Sequence, residues 1–463
     1  MTYPPSVRTA PGHERPQPPV PAAAPAPPGR GALSVTAGRV RAAATTEPGR
    51  LQIIGAVLAL LVVAFGAVTA LEISDRASAA DDVVSRSQPL SADAAAVYRS
   101  LADADTAAAS GFLAGAQEPR DVHERYEKDI REAARLLVKA AGNTDASTRS
   151  GQEITTLNEE LPRYTGLIER ARANNRQGLP LGGAYLRYAN QRMSTVLLPA
   201  AERLYAAETD RLGEDDDAAR ARPFLSLGLG VVALGVLLWA QRRDYRRTNR
   251  VFNHGLLVAT ASCTVLLLWL AVGHTVARSA LHSADVNGQR SLDVLSNARI
   301  DSLKARADEN LTLVARGAVL TADGKQDKYE TDYGAGMKAL GEALDRAGSL
   351  ADDEAGRGPV AKAVDAVSEW QDRHRKARTA DDGGDYEGAR AQIIGAKDST
   401  GESFERVDKA LAQALAHEQD EFTRAANDGR GALGGLPSGA VGLAVLGAVA
   451  AIVGVNRRLS EYR

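Results

Sequence analysis

Cysteine is almost absent from this chain of 463 residues. The one copy, Cys263, lies in an apolar run, which excludes an intrachain disulfide and any metal site built from thiolates. Aromatic residues make up only 5% while Ala and Gly abound, a balance that suits long, closely packed helices. The seven histidines are scattered: His13 in a tail, His254 and His274 at the ends of apolar runs, and His123, His282, His374 and His417 on faces that read as polar. No two share the i, i+3 or i+4 spacing that would place metal ligands side by side on a helix. A net charge of −2 leaves no basic surface for a nucleic acid. No HExxH, GxSxG, Walker loop, kinase motif set or GxGxxG after a strand occurs, so neither an enzyme nor a cofactor is expected. The acid-rich runs near 215 and 352 do not follow the EF-hand pattern.

Charge is also missing from four apolar runs, 51–71, 223–240, 255–277 and about 438–455, none of which holds an Asp, Glu, Lys or Arg. Each is close to the ~20 residues that cross a ~30 Å hydrocarbon core. The last is the weakest, being mostly Gly, Ala and Val. Arg242, Arg243, Arg246, Arg247 and Arg250 crowd the short loop 241–254 against one acid, Asp244, and the positive-inside rule places that loop in the cytoplasm. Both termini then lie inside as well, in agreement with Arg39, Arg41 and Arg50 before the first run and Arg457, Arg458 and Arg463 after the last. The stretches 72–222 and 278–437 face outward. The first run exceeds a signal-peptide core and follows 50 residues, so it reads as an uncleaved anchor, with Ala77-Ser78-Ala79 as the small-x-small site of the alternative. Ten prolines in the first 30 residues make 1–50 a disordered cytoplasmic tail, either solvated or a docking peptide.

The two polar stretches read as diverged copies. Ser100-Leu101 through Gly115-Ala116 matches Ser302-Leu303 through Gly317-Ala318 at an offset of 202, with a helix end at each glycine. Tyr126-Glu127-x-Asp129 matches Tyr329-Glu330-x-Asp332. Tyr164 aligns with Trp370 on the third helices, although Pro162 has no counterpart. Each tyrosine begins a buried stripe, and its acids either face water in the first helical turn or contact a ligand. Tyr98, Tyr185 and Tyr188 carry the same two readings. A long closing helix ends each half, with Tyr188, Met193 and Leu197 on the apolar face of the first and Ile394, Phe404 and Val407 on that of the second. Pro199 is expected to kink the first closing helix and Pro89 to break the first entering helix, whereas 278–316 is expected to run unbroken.

The expected fold is therefore all-α: four transmembrane helices and two tandem extracytoplasmic four-helix bundles related by internal duplication. The tail 1–50, the loop 241–254 and the C-terminus 456–463 lie in the cytoplasm of a multi-pass cell-membrane protein. These pieces are too small for catalysis, so a partner would act inside.

This plan resembles the four-helix-bundle sensors of bacterial chemoreceptors and histidine kinases. The whole, from about 50 to 463, is similar to the actinobacterial four-helix membrane proteins of the GlnX type. The resemblance implies a relay from an amino-acid-loaded extracytoplasmic solute-binding protein to a cytoplasmic Ser/Thr kinase. Arg242, Arg243, Arg246, Arg247 and Arg250 would serve as docking residues for that effector, or only set topology and hold membrane lipid. A structural envelope scaffold is the main alternative. A transporter is disfavoured by the lack of intramembrane charge.

Overall fold

The computed structural model describes residues 47–248, 253–283 and 288–459. Its described residues form an all-α protein; the nearest approach to a sheet is one bridge between Leu320 and Asp327. The proline-rich tail lies almost wholly outside the described residues, as do Arg250 and the side chain of Arg247.

The first half opens with α1 (Glu47–Asp82), which passes through a π turn at Val83–Ser87 into α2 (Gln88–Leu113) without a break. Pro89 does not break it. A proline cannot donate to, and its ring collides with, the carbonyl four residues back. Here that carbonyl belongs to Ser85, inside the π turn, where the Gln88 amide bonds instead to Val83 O. The same device recurs at Pro199: α5 (Leu181–Arg192) joins α6 (Leu198–Arg220) through a π turn at Met193–Leu197, and the Leu198 amide reaches back to Met193 O. One extra residue per turn makes room for the ring in both places. Between them lie α3 (Arg120–Asn143) and α4 (Arg149–Arg176), the latter capped by Thr148 and running through Pro162.

α7 (Phe224–Thr248) and α8 (His254–Ser283) lead to the second half: α9 (Arg290–Ala315), α10 (Lys328–Leu350), α11 (Glu354–Asp382), α12 (Tyr386–Ile394) and α13 (Thr400–Leu433), followed by α14 (Leu436–Leu459). The join between α8 and α9 lies outside the described residues. Four of these helices begin on side-chain caps: Asp327, Asp353, Asp385 and Ser399 each accept the backbone N–H three residues on, at 2.7–3.1 Å. The second closing helix is not continuous. α12 ends at Ile394, and the chain passes through Asp398 at φ +54° before Ser399 starts α13. Tyr188 also departs from its expected face, being exposed on α5. The glycine-marked ends do fall in register: α2 and α9 stop two residues before Gly115 and Gly317, which take φ +70° and +71°.

α2 packs on α3 and α6, α9 packs on α10 and α13, and α2 and α9 pack on each other, so a single apolar core runs through both halves. Alanine lets these two backbones approach closely; Thr106 Oγ1 donates across the seam to Leu303 O at 2.8 Å.

Four helices are long and apolar enough to cross a membrane, and they support a multi-pass membrane protein. α1, α7, α8 and α14 form a ring in which α14 touches both α1 and α8. Its Gly/Ala/Val composition has a packing cause. A Cβ on Gly66 of α1 would stand 2.1 Å from Ala444 Cβ, one on Gly255 of α8 would stand 2.4 Å from Gly454 Cα, and one on Gly439 would strike the Trp269 ring. In apolar surroundings such small-residue contacts replace the hydrophobic drive that water would supply.

Where α6 gives way to α7, the helix ladder is interrupted at 221–223. α1 repairs the break from the side: Glu72 accepts from the Ser226 amide at 2.9 Å and from its hydroxyl, while Arg76 Nε donates to Ala221 O at 2.6 Å. Both backbone groups are orphans at a helix end, and the Ser226 amide, being buried, would otherwise be unmet.

Candidate functional site

The aligned aromatics Tyr164 and Trp370 each sit fully buried on the third helix of a half, and each donates to a buried carboxylate on the entering helix. In the first half, Tyr164 OH reaches Asp105 Oδ1 at 2.9 Å, and Asn190 Nδ2 reaches the other oxygen at 2.7 Å. Burial pushes the Asp105 carboxyl up to about 6, with these two neutral donors pulling the other way. In the second half, Trp370 Nε1 lies 3.1–3.2 Å from both oxygens of Glu309, which also pairs with Arg306 and with His374 Nδ1 at 2.8 Å. Burial works against ionisation of Glu309, but Arg306 and His374 outweigh it and hold its carboxyl below the usual range.

His374 is thus buried rather than on a polar face. It lies four residues after Trp370, on the same stripe, and stacks on Tyr333 at 3.8 Å. Burial alone would lower the imidazole; the hydrogen bonds to Glu309 and to Glu330 (3.1 Å) prevail and push it up to about 9.

The Tyr-Glu-x-Asp elements follow the structural reading for their tyrosines and for Glu127, which is exposed, and depart from it for Asp129 and Glu330. Tyr126 and Tyr329 are buried, with Arg172 lying 4.1 Å from the Tyr126 ring centre. Asp129 is buried too, and burial together with Asp103 pushes it up to about 7. Glu330 pairs with His374 and with Arg378 at 3.3 Å. Asp332 faces a cavity.

Two cavities lie on the seam between the halves. One, of about 420 Å³, is bounded by α2, the α5–α6 junction, α9 and α10, and holds Tyr98, Asp105, Asp301, Lys304, Asp308 and Asp332 in its wall. The other, of about 410 Å³, is bounded by α2, α3, α9 and the α12–α13 junction, and holds Arg125, Arg306 and Phe404. Exchanging the two halves exchanges these boundaries. A third, of about 310 Å³, lies along α2, α6, α9 and α13 and includes Arg99, Tyr205 and Arg299.

The expected docking arginines lie apart from all of these. Arg242, Arg243 and Arg246 occupy the last turns of α7, where Arg243 sits 5.4 Å from the Trp239 ring. Among the described residues one trio has metal-ligand geometry, Asp353, His417 and Glu421, with donor atoms within 4.8 Å of one another; Asp353 is already engaged in capping α11.

Sequence reasoning missed Asp105 and Glu309. The signal was present for the first: Asp105 follows Leu101 by four residues and precedes Ala108 by three, which puts an acid on an apolar stripe.

Residues 79–217, from the C-terminal end of α1 to α6, match the family described as an actinobacterial sensor domain. No curated protein and no solved structure matches the chain. The family match, with the candidate membrane helices, supports an actinobacterial sensor protein with a sensing or signalling role.

Proposed function

We propose that this protein is a non-enzymatic transmembrane relay in which the two polar halves, facing outward, arose by duplication and act as an intrachain counterpart of a dimeric sensor. One observation carries the reading: a single helix runs from Gly49 to Leu113, its inner part packed in the membrane ring and its outer part bonded to the other half. The cross-seam bonds include Tyr98 to Lys304 and Ser110 to Asn310, each 2.8 Å, and Tyr205 to Asp293 at 2.9 Å. At ~1.5 Å per residue such a helix spans roughly 100 Å, long enough for a shift of ~1–2 Å at the seam to be felt at the inner membrane face. The arginine cluster of α7 would present that shift to a cytoplasmic effector. By resemblance to the GlnX type, the outer stimulus would be an amino-acid-loaded binding protein and the effector a Ser/Thr kinase.

The test uses Cys263→Ala as background, with cysteines replacing Ser110 and Asn310. Oxidation should close a crosslink within one chain and abolish the cell's phosphorylation response to external stimulus. Products only between chains would refute the intrachain pairing, and an intact response in the fully crosslinked protein would favour the scaffold.

A further inference from the structure

Among the described residues, three carboxyl groups lining the 420 Å³ cavity, Glu202, Asp301 and Asp308, accept no hydrogen bond and make no close ion pair, although the Lys304 ammonium acts favourably on Asp301 and Asp308 from a distance. The other charges in the wall are already engaged. Lys304 Nζ donates to Tyr98 OH at 2.8 Å, Lys328 pairs with Asp332, and the oxygens of Asp105 are taken by Tyr164 and Asn190. The cleft therefore holds an excess of acid facing space of ligand size, since small-molecule pockets run ~300–1,000 Å³. Most of its remaining lining is apolar, including Leu198, Pro199, Ala335 and Ala339, with Ser194 and Asn190 as the polar exceptions.

We infer that this cleft binds a small organic cation with two amino groups joined by a short methylene chain, the ammonium ends meeting Asp301, Asp308 and Glu202 and the chain lying on the apolar side. The inference rests on the relay reading and deepens it by naming the ligand class. Burial raises Asp301, and burial with the nearby Asp332 raises Asp308, so both carboxyls stand to gain from a cation that enters. The companion cleft carries a smaller excess: Asp121, Glu402 and Glu405 stand against Arg125 and Arg306, and Glu402 is already paired with Arg373. Its Arg125 is held by Asp103 at 2.7 Å, and its Arg306 by Glu309, by Thr400 and by Ile393 O. Exchange of the halves relates the two clefts in shape but not in charge, so one ligand per chain is expected.

The experiment is titration calorimetry on the full chain in discs of uncharged lipid, with 1,4-diaminobutane as probe and glutamate as the anionic comparison. The double variant Asp301→Asn, Asp308→Asn keeps the cleft's shape and removes repulsion, so it should fold. A spin-label distance between α2 and α9 is recorded on the same samples. Binding at one site per chain, weakened roughly a hundredfold in the double variant and unchanged in Glu405→Gln of the companion cleft, supports the inference; the factor follows from ~1.5 kcal/mol or more for each charged hydrogen bond lost. No heat with the diamine, equal binding by the double variant, or glutamate bound at this cleft each overturns it. A diamine that binds here without changing the α2–α9 distance keeps the ligand site and removes the relay. A protein that ignores the diamine yet loses its response when the seam is crosslinked keeps the relay and removes this ligand class.

Discussion

Raising the pH from 6.5 to 9 should loosen the second half through one residue, His374. Its ring nitrogens contact Glu309 at 2.8 Å and Glu330 at 3.1 Å, its face stacks on Tyr333, and its side chain is only 5% exposed. Arg306 and Arg378 are the neighbouring cations, each already paired with one of those acids. The folded imidazole titrates near 9 against 6.5 for an ordinary histidine. A group raised on folding contributes stability that is fully present below its unfolded value and is lost as the pH climbs through its folded value. The window is therefore 6.5 to 9, and a rise across it is worth about 3 kcal/mol. Burial leaves little solvent screening to discount. The assay is thermal unfolding followed by circular dichroism in detergent at several pH values, for the wild-type chain and for His374→Gln. The variant should unfold several degrees lower at pH 6.5 and converge with the wild type above pH 9. A wild type and variant that fall in parallel across the window would refute the assignment of a charged His374 between two carboxylates.

Asp105→Asn should raise stability at neutral pH by about 1–3 kcal/mol, because a carboxyl raised to about 6 costs stability as the pH climbs from 3.8 through 6; an unchanged or lower unfolding midpoint at pH 7 counts against a buried charge held only by neutral donors. Gly66→Ala should cost about 1–3 kcal/mol by forcing α1 from α14, whereas Gly442→Ala, which meets nothing within 4 Å, should be neutral; equal unfolding temperatures for the two variants would argue against the close α1–α14 contact. Reporter fusions at Asp244 should be cytoplasmic and fusions at Gly142 and Gly348 exported, and an exported Asp244 fusion would reverse the proposed topology.

The parts legible in the sequence were those with a periodic or compositional cause. Four charge-free runs marked the four membrane-length helices, and apolar spacing marked Tyr126, Tyr164, Tyr329 and Trp370 as buried. The site was less legible because polar residues inside an alanine-rich helix carry little periodic signal. Asp105 is surrounded by small residues that read as core or surface equally well, Glu309 lies between the polar Asp308 and Asn310, and only their long-range partners, 59 and 61 residues away, settle the matter. His374, expected on a polar face, is flanked by Arg373 and Arg375, yet its spacing from Trp370 decides its side of the helix. The π turns were illegible for another reason. A proline announces a conflict with the helix, but whether the chain kinks, breaks or widens by a residue depends on the packing that α2 and α6 find on either side.

The difference between the two halves bears on why one chain would carry both. Tyr164 with Asp105 and Trp370 with Glu309 place the same kind of contact, an aromatic donor on a buried acid, in two electrostatic states. Around Glu309 the acid is matched by Arg306 and His374, so removing a member leaves buried charge poorly matched. Around Asp105 the direct partners among the described residues are neutral, and the cleft it lines has more acids than lysines. A symmetric homodimer cannot hold its two copies in different charge states by sequence; a single chain can. Under the proposed duplication, the second half serves as the reference against which the first can be displaced by a bound cation, and the seam between α2 and α9 is where that displacement enters the long helix to the membrane.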